Sequence, residues 1–443
     1  MSATKQILAL NRFEADNAAG LDPELAERIG RRQATFGASS VLFYEQPIEM
    51  VRGEGVFLYD VHGTRYLDVY NNVPSVGHCH PRVVEAIARQ AAALNTNTRY
   101  LVRIVETYAE RLLATFPAPL SNLVMTCTGS ESNDLALRIA ESVTNARGFI
   151  VTRSAYHGNT AAVTHISPSS FKSQKLAPHV RAVPAPDPLE APKGDIATLF
   201  AAQIKAAIDD LRASGHGFAG FIADTIFSSD GIFADPPGFL QKAAAVVRAE
   251  GGLFIADEVQ PGFGRTGGGL WGFSRHAIVP DIVTLGKPMG NGFPMGGVIT
   301  RPDYLAAFCA ETGYFNTFGG NPVAAAAGLA VLDVIADENL IANAAQTGAL
   351  LKDGLTALKS DFPQIGDIRG AGLFIGLDFT TPDATPDPAT ASAVINAMKQ
   401  HGILIGAAGL YGHTLKIRPP LCFAPNNAEF FLETLRGILK AMG

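Results

Sequence analysis

Between about residues 80 and 325, short runs that are apolar at almost every position alternate with longer stretches of helical periodicity. NLVMT, GFIVT, FAGFIAD, GLFIADEV and DIVTLG are the runs; PRVVEAIARQAAAL and ESNDLALRIAESV are two of the helical stretches. A strand without a polar face must be covered on both sides, and helices lying between consecutive strands supply that cover. The pattern predicts an α/β chain with a parallel or mixed sheet between helices. Upstream, VFLYDVHGTRYLDVYN alternates around His62-Gly63 and predicts a β-hairpin, while residues 1 to about 50 mix short helical patterns with loops. From about 330 a long helix leads to GDIRGAGLFIGLDF, a further helix, GILIG, HTLKIRPPLCF and a last helix, with TTPDATPDPAT as an exposed loop. The expected division is an N-terminal segment, 1–75, contributing to a small domain; a large domain, 76–328; and a C-terminal small α+β domain, 329–443.

Composition narrows the function classes. The 443 residues are 47% hydrophobic and 17% charged, enough for a large core and for burial against a partner subunit. A net charge of -6 without a basic run argues against nucleic acid or an anionic membrane as partner. The opening MSATKQILALNRFEADNAAG has no signal-peptide core, since LAL is short and Glu14 and Asp16 follow soon after. The longest apolar run, PVAAAAGLAVLDVIA, is interrupted by Asp333 and is shorter than the roughly 18 residues of a membrane span. Cys79, Cys127, Cys309 and Cys422 are scattered without a CxxC pair, which suits a reducing cytoplasm rather than disulfides or structural zinc.

Ligands of open α/β sheets sit beyond the carboxyl ends of the strands, so polar residues just past the apolar runs are the candidates. Asp257 ends GLFIAD, and Lys287 follows DIVTLG between Gly286 and Pro288. A lone acid there is usually a cap or an ion-pair partner, and a lone lysine is usually solvated. A lysine shielded from water, however, loses its proton readily and attacks carbonyls. Gly129 and Ser130 in TCTGSESND form a turn entering a helix, whose N–H groups suit a phosphate. Tyr156 and His157 follow GFIVT, where an aromatic ring can stack on a flat cofactor. Together these four places offer what pyridoxal phosphate needs: a phosphate cradle, a stacking ring, a carboxylate for the pyridine nitrogen and an amine for the aldehyde. A P-loop around Lys287 fails on spacing, because Asp281 stands where its first glycine belongs and Pro288 where Ser or Thr belongs. His78-Cys79-His80 lacks further ligands for a metal, and neighbours on a strand point to opposite faces.

TGSESNDLALRIA, AYHG, FIADEVQPGFGRTG, PDIVTLGKPMGNG and FNTFGGNPV resemble the class III aminotransferases, of pyridoxal phosphate fold type I, and the resemblance covers nearly the whole chain. That fold has a mostly parallel seven-stranded sheet and a smaller α+β domain. The resemblance implies that Lys287 forms the imine with the cofactor and serves as proton-transfer base, and that Asp257 pairs with the pyridine nitrogen. It further implies that Val259 packs behind the ring, Gln260 lies near its hydroxyl, and Tyr156, with His157 beside it, covers the exposed face. Gly129 and Ser130 would hold the phosphate with Thr317 of a second subunit, which implies a homodimer or dimer of dimers with shared active sites.

Two positions depart from the family. Asp224 in FIADTIFSS stands where many members have Glu, and Lys416, with Arg418 two residues on, stands where many have a carboxylate-binding Arg. NNVPSVGHCHP, LNTNTRY, YFNTFGGNP, GDIRGAGLFIGLDF and LKIRPPLCF resemble the branch containing ethanolamine-phosphate phospho-lyase, 5-phosphohydroxylysine phospho-lyase and alanine–glyoxylate aminotransferase 2. For a phosphate-bearing amine the expected polar and cationic wall is Asn71, Asn72, Arg99, Arg103, Lys416 and Arg418. Two outcomes stay open: elimination of phosphate from such an amine, and transamination of an ω-amino acid or amine with pyruvate or glyoxylate.

Overall fold

A computed structural model describes residues 10–14, 20–171, 176–191 and 195–443; most of the opening stretch read above for a signal segment lies outside them. Seven strands form the central sheet in the order Asn122–Thr126, Gly296–Thr300, Ile282–Leu285, Leu253–Asp257, Gly220–Ala223, Phe149–Thr152, Val180–Val183. The last five are mutually parallel, and Gly296–Thr300 runs antiparallel to both its neighbours. The four strands from Ile282–Leu285 to Phe149–Thr152 are buried at every position, which is why they read as unbroken apolar runs. Their alternate residues go to opposite faces. Phe149, Val151, Ile222 and Ile255 pack with Leu135, Ile139 and Ala140 of the helix Gly129–Thr144. Ile150, Phe221, Phe254 and Val283 pack with Phe200, Ile204 and Ile208 of Ile196–Ala213, and with Ala243 and Val247 of Leu240–Ala249.

Gly296–Thr300 was not among the predicted strands. GGVIT follows a Gly- and Pro-rich loop, and its strand character comes from the two partners that flank it rather than from local pattern. The alanine-rich run is the helix Pro322–Asp337, buried over most of its length. Among the described residues no helix is long and apolar enough to cross a membrane.

The predicted hairpin is present: Phe57–Asp60 pairs antiparallel with Arg65–Asp68, and Asp60 Oδ1 accepts the N–H groups of His62 and Thr64 to shape the turn. The short strand Ile403–Leu404 joins this hairpin in parallel, so distant parts of the chain build one sheet. A second four-stranded sheet, antiparallel throughout, contains Ile365–Ala371, Phe374–Phe379, Thr414–Ile417 and Gly406–Ala408. In it Arg369 forks onto Asp378 at 2.6 and 2.9 Å, and its Nε donates to the Gly231 carbonyl at 2.8 Å. That last bond ties the C-terminal sheet to the loop leaving the central strand Gly220–Ala223.

Candidate active site

A cavity of about 280 Å³ opens at the carboxyl edge of the parallel strands, close to the lower end of the small-ligand range. Asp257 ends one strand and Lys287 follows its neighbour by two residues; in-register pairing of Asp257 with Thr284 brings acid and amine to the same edge. Both line the cavity with Gly129, Ser130, Tyr156, His157, Val259, Gln260 and Asp224.

The Asp257 carboxylate is held by three donors. Its Oδ2 takes Nδ1 of His157 at 2.7 Å and Nδ2 of Asn133 at 3.0 Å, and its Oδ1 takes the Val259 N–H at 3.0 Å. Asn133 is fixed in turn: the same Nδ2 donates to the His157 carbonyl at 2.7 Å, and its Oδ1 accepts the Thr284 hydroxyl at 2.6 Å. An aspartate acceptor obliges His157 to donate from Nδ1. Its Nε2 is buried and has no partner among the described residues.

Lys287 makes no hydrogen bond or ion pair among the described residues. Much of its side-chain surface touches the cavity rather than bulk solvent, which reconciles its large accessible area with the protein that surrounds it. Burial holds its pKa below the usual lysine value; Arg418 pushes the same way, and Asp257 and Asp224 oppose. An amine so placed is a ready nucleophile and base.

The helix Gly129–Thr144 begins at the cavity. Thr128 caps it by accepting the Glu131 N–H at 3.1 Å, while the first-turn N–H groups of Gly129 and Ser130 have no intrahelical acceptor. The Ser130 hydroxyl accepts the Asn159 N–H at 3.2 Å and keeps its own proton to donate. Two glycines make the cradle possible. A Cβ on Gly129 would stand 2.9 Å from Val259 Cγ2, and one on Gly158, whose φ is +139°, would stand 2.4 Å from Ser130 Oγ.

This donor set fits pyridoxal phosphate. Orphan N–H groups and a hydroxyl suit the phosphate, a locked carboxylate suits the ring nitrogen, and an unpaired amine suits the aldehyde. Val259 and the half-buried Tyr156 provide apolar and aromatic surface for a flat ring.

A family model described as aminotransferase class-III matches residues 42–439. The chain belongs to this family. It is 41% identical over 431 residues to an alanine--glyoxylate aminotransferase 2-like protein of Drosophila melanogaster, with 94% of this chain and 87% of the relative covered. It is 39% identical over 439 residues to ethanolamine-phosphate phospho-lyase homolog 1 of Caenorhabditis elegans, with 94% of each covered. The solved structure of a phospholyase from Arthrobacter in complex with phosphoethanolamine superposes with a TM-score of 0.91 at 43% identity, covering 94% of this chain and all (100%) of that one. The fold is that of the pyridoxal-phosphate-dependent class III enzymes of fold type I, and the protein is such an enzyme.

The cavity gathers the residues expected around the cofactor except Thr317, which is exposed and does not line it. The expected substrate wall is a different matter. Asn71 does not line the cavity, because its amide is spent on Asp68 Oδ2 at 3.0 Å; Asn72 is buried away from it. Arg99 is exposed and stacks on Phe315, 4.2 Å from the ring centre, and Arg103 is exposed at the start of a helix. Lys416 and Arg418 both lie 5.6 Å from the Phe374 ring centre, and both are buried and do not line the cavity. Asp224 does line the cavity, yet it is turned onto its own loop, accepting from Ile226 N at 3.1 Å and from the Ser228 N–H and hydroxyl. Of the triplet His78-Cys79-His80, His78 binds Asp68 at 2.7 Å and His80 binds Glu338 at 2.9 Å; among the described residues no group of three or more ligands could hold a metal ion.

Sequence reasoning missed Asn133, Ser228 and the Phe293–Met295 part of the wall. Asn133 had a signal: it lies one helical turn after Gly129, on the face that the cradle presents.

Proposed function

We propose that this enzyme eliminates phosphate from a small phosphorylated amine of the ethanolamine-phosphate type. One observation carries the reading: the chain superposes on the phosphoethanolamine-bound phospholyase with a TM-score of 0.91 at 43% identity, against 0.82 at 25% for an omega transaminase of Pseudomonas jessenii. Elimination also needs no keto acid as a second substrate.

The cofactor supplies an electron-withdrawing ring conjugated to the carbon that bears nitrogen. In this reading Lys287 removes the proton from that carbon as a free amine. Asp257, locked by His157, Asn133 and Val259, holds the proton on the ring nitrogen. Gly129 and Ser130 would anchor the phosphate of the cofactor, Val259 and Tyr156 would confine its ring, and Gln260 would border its hydroxyl. The electrons of the C–H bond would then form a C=C bond to the next carbon while its C–O bond breaks, and phosphate would leave with the electrons of that bond. Water then converts the product to acetaldehyde and ammonia.

The partner for this reading is a second copy of the chain. Tyr100, Leu101, Phe315 and Phe318 are 68%, 94%, 44% and 71% exposed, and the Arg99–Phe315 stack joins the two stretches into one apolar strip. A second subunit on this strip would bring Thr317, Arg99 and Arg103 toward the neighbouring cavity. The hairpin's parallel bond to Ile403–Leu404 supports treating 1–75 and 329–443 as one small unit beside 76–328. Four free cysteines support a reducing compartment such as the cytoplasm, although one relative is the human mitochondrial alanine--glyoxylate aminotransferase 2.

Purified enzyme given ethanolamine phosphate without any keto acid should release phosphate and acetaldehyde in equal amounts. Alanine formed from pyruvate and an amine donor, with no phosphate release, would overturn the proposal.

A further inference from the structure

Gln260 stands on the cavity wall with both ends of its amide engaged. Arg418 Nη1 donates to its Oε1, and its Nε2 donates to Ser228 Oγ. The Ser228 hydroxyl donates onward to Asp224 Oδ2. Three segments meet in this chain of bonds: Arg418 follows the C-terminal strand Thr414–Ile417, Gln260 follows the central strand Leu253–Asp257, and Asp224 and Ser228 follow Gly220–Ala223.

Arginine only donates and a carboxylate only accepts. With a pure donor at one end and a pure acceptor at the other, each proton between them has one place to go. Flipping the Gln260 amide would set its NH₂ against the guanidinium and lose the bond to Ser228. The amide is therefore held in one sense, with one Nε2 proton left over. Arg418 cannot follow a moving glutamine, because its Nε donates to the Tyr70 carbonyl at 2.9 Å and its guanidinium lies between the Tyr70 and Phe374 rings, at 4.9 and 5.6 Å.

We propose that Ser228 and Arg418 are positioning residues that lock Gln260 so that its spare N–H is a fixed donor to the ring oxygen of bound pyridoxal phosphate. Through Arg418, that donor is tied to the seating of the C-terminal sheet on the central one. The inference rests on the cofactor alone and holds whether the reaction is elimination or transamination. A fixed donor favours the ionised ring oxygen, and losing it disfavours that form. Asp257, Asp224, Lys287, Lys416 and Arg418 also face this corner, so the effect must be isolated by comparison of variants.

The test is the visible absorption band of the cofactor-loaded enzyme, titrated with pH, together with the dissociation constant of the cofactor. Ser228→Ala should move the pH midpoint of the band by about half a unit or more and weaken cofactor binding roughly tenfold. Ser228→Thr, which keeps the hydroxyl, should restore both. Gln260→Ala should give a similar shift, and adding Ser228→Ala to it should change nothing further. A Ser228→Ala enzyme with the parent's midpoint, or shifts that simply add in the double variant, would overturn the proposal. If Ser228→Ala does not fold, Arg418→Gln and its combination with Gln260→Ala make the same comparison.

Discussion

Nδ1 of His157 lies 2.7 Å from Oδ2 of Asp257, and Asn133 Nδ2 reaches the same oxygen at 3.0 Å. The histidine orients the acid while its own carbonyl is held by Asn133, so the three side chains form one closed unit with Thr284 behind it.

Asn133→Ala removes a donor from Asp257 and leaves the His157 carbonyl and the Thr284 hydroxyl short of a partner. A hydrogen bond to a charged group contributes about 1.5–3 kcal/mol. The variant should therefore lose on the order of tenfold to a hundredfold in kcat/KM. Steady-state kinetics check this, and an unchanged kcat/KM would show that His157 and Val259 suffice.

Gly158→Ala places a Cβ 2.4 Å from Ser130 Oγ on a backbone with φ of +139°. The expected cost is about 1–3 kcal/mol in stability, with weaker cofactor binding because Ser130 must shift. Gly268 has nothing within 4 Å of its would-be Cβ, so Gly268→Ala should be neutral to within about 0.5 kcal/mol. Equal behaviour of the two variants in cofactor titration and thermal melting would count against the cradle.

His276 is buried edge-on to Phe239; its Nε2 meets the Thr225 carbonyl at 2.9 Å and its Nδ1 has no partner among the described residues. Burial pushes its pKa down from 6.5 to about 4, with Arg275 adding to the shift and Thr225 and Asp235 opposing. Below about 6.5 the unfolded chain takes up a proton that the folded chain refuses, so stability is lost as pH falls from there toward 4. The loss should reach roughly 3 kcal/mol. Melting temperatures at pH 7 and pH 5 should differ less for His276→Gln than for the parent; an identical pH dependence would rule this histidine out as a source of acid sensitivity.

Arg369→Ala leaves Asp378 buried without its fork and frees the Gly231 carbonyl. Breaking a buried pair from one side costs about 3–5 kcal/mol. Arg369→Lys, which keeps the charge but not the bidentate geometry, should fall between alanine and the parent. Denaturant midpoints check the order. Because Gly231 belongs to the loop carrying Asp224 and Ser228, the alanine variant should also bind the cofactor less tightly.

Local pattern in the chain was enough for the buried strands, the hairpin, the helix start at Gly129-Ser130 and the placing of Asp257 and Lys287 at the ends of neighbouring strands. Each rests on a short-range rule: strands covered on both faces carry no polar residues, helix starts have free N–H groups, and ligands gather where parallel strands end. Gly296–Thr300 was not legible because its partners, not its residues, make it a strand. The substrate wall was less legible for a related reason. Asn71, Lys416 and Arg418 are polar residues in suggestive segments, but whether a side chain faces a cavity or is used up behind it depends on neighbours far away in sequence. Asp68 captures Asn71, and Gln260 captures Arg418 across 158 positions. Cofactor chemistry follows from residue type and spacing along single strands. The surroundings that choose the reaction follow from long-range contacts, and these exist only once the sheets have packed together.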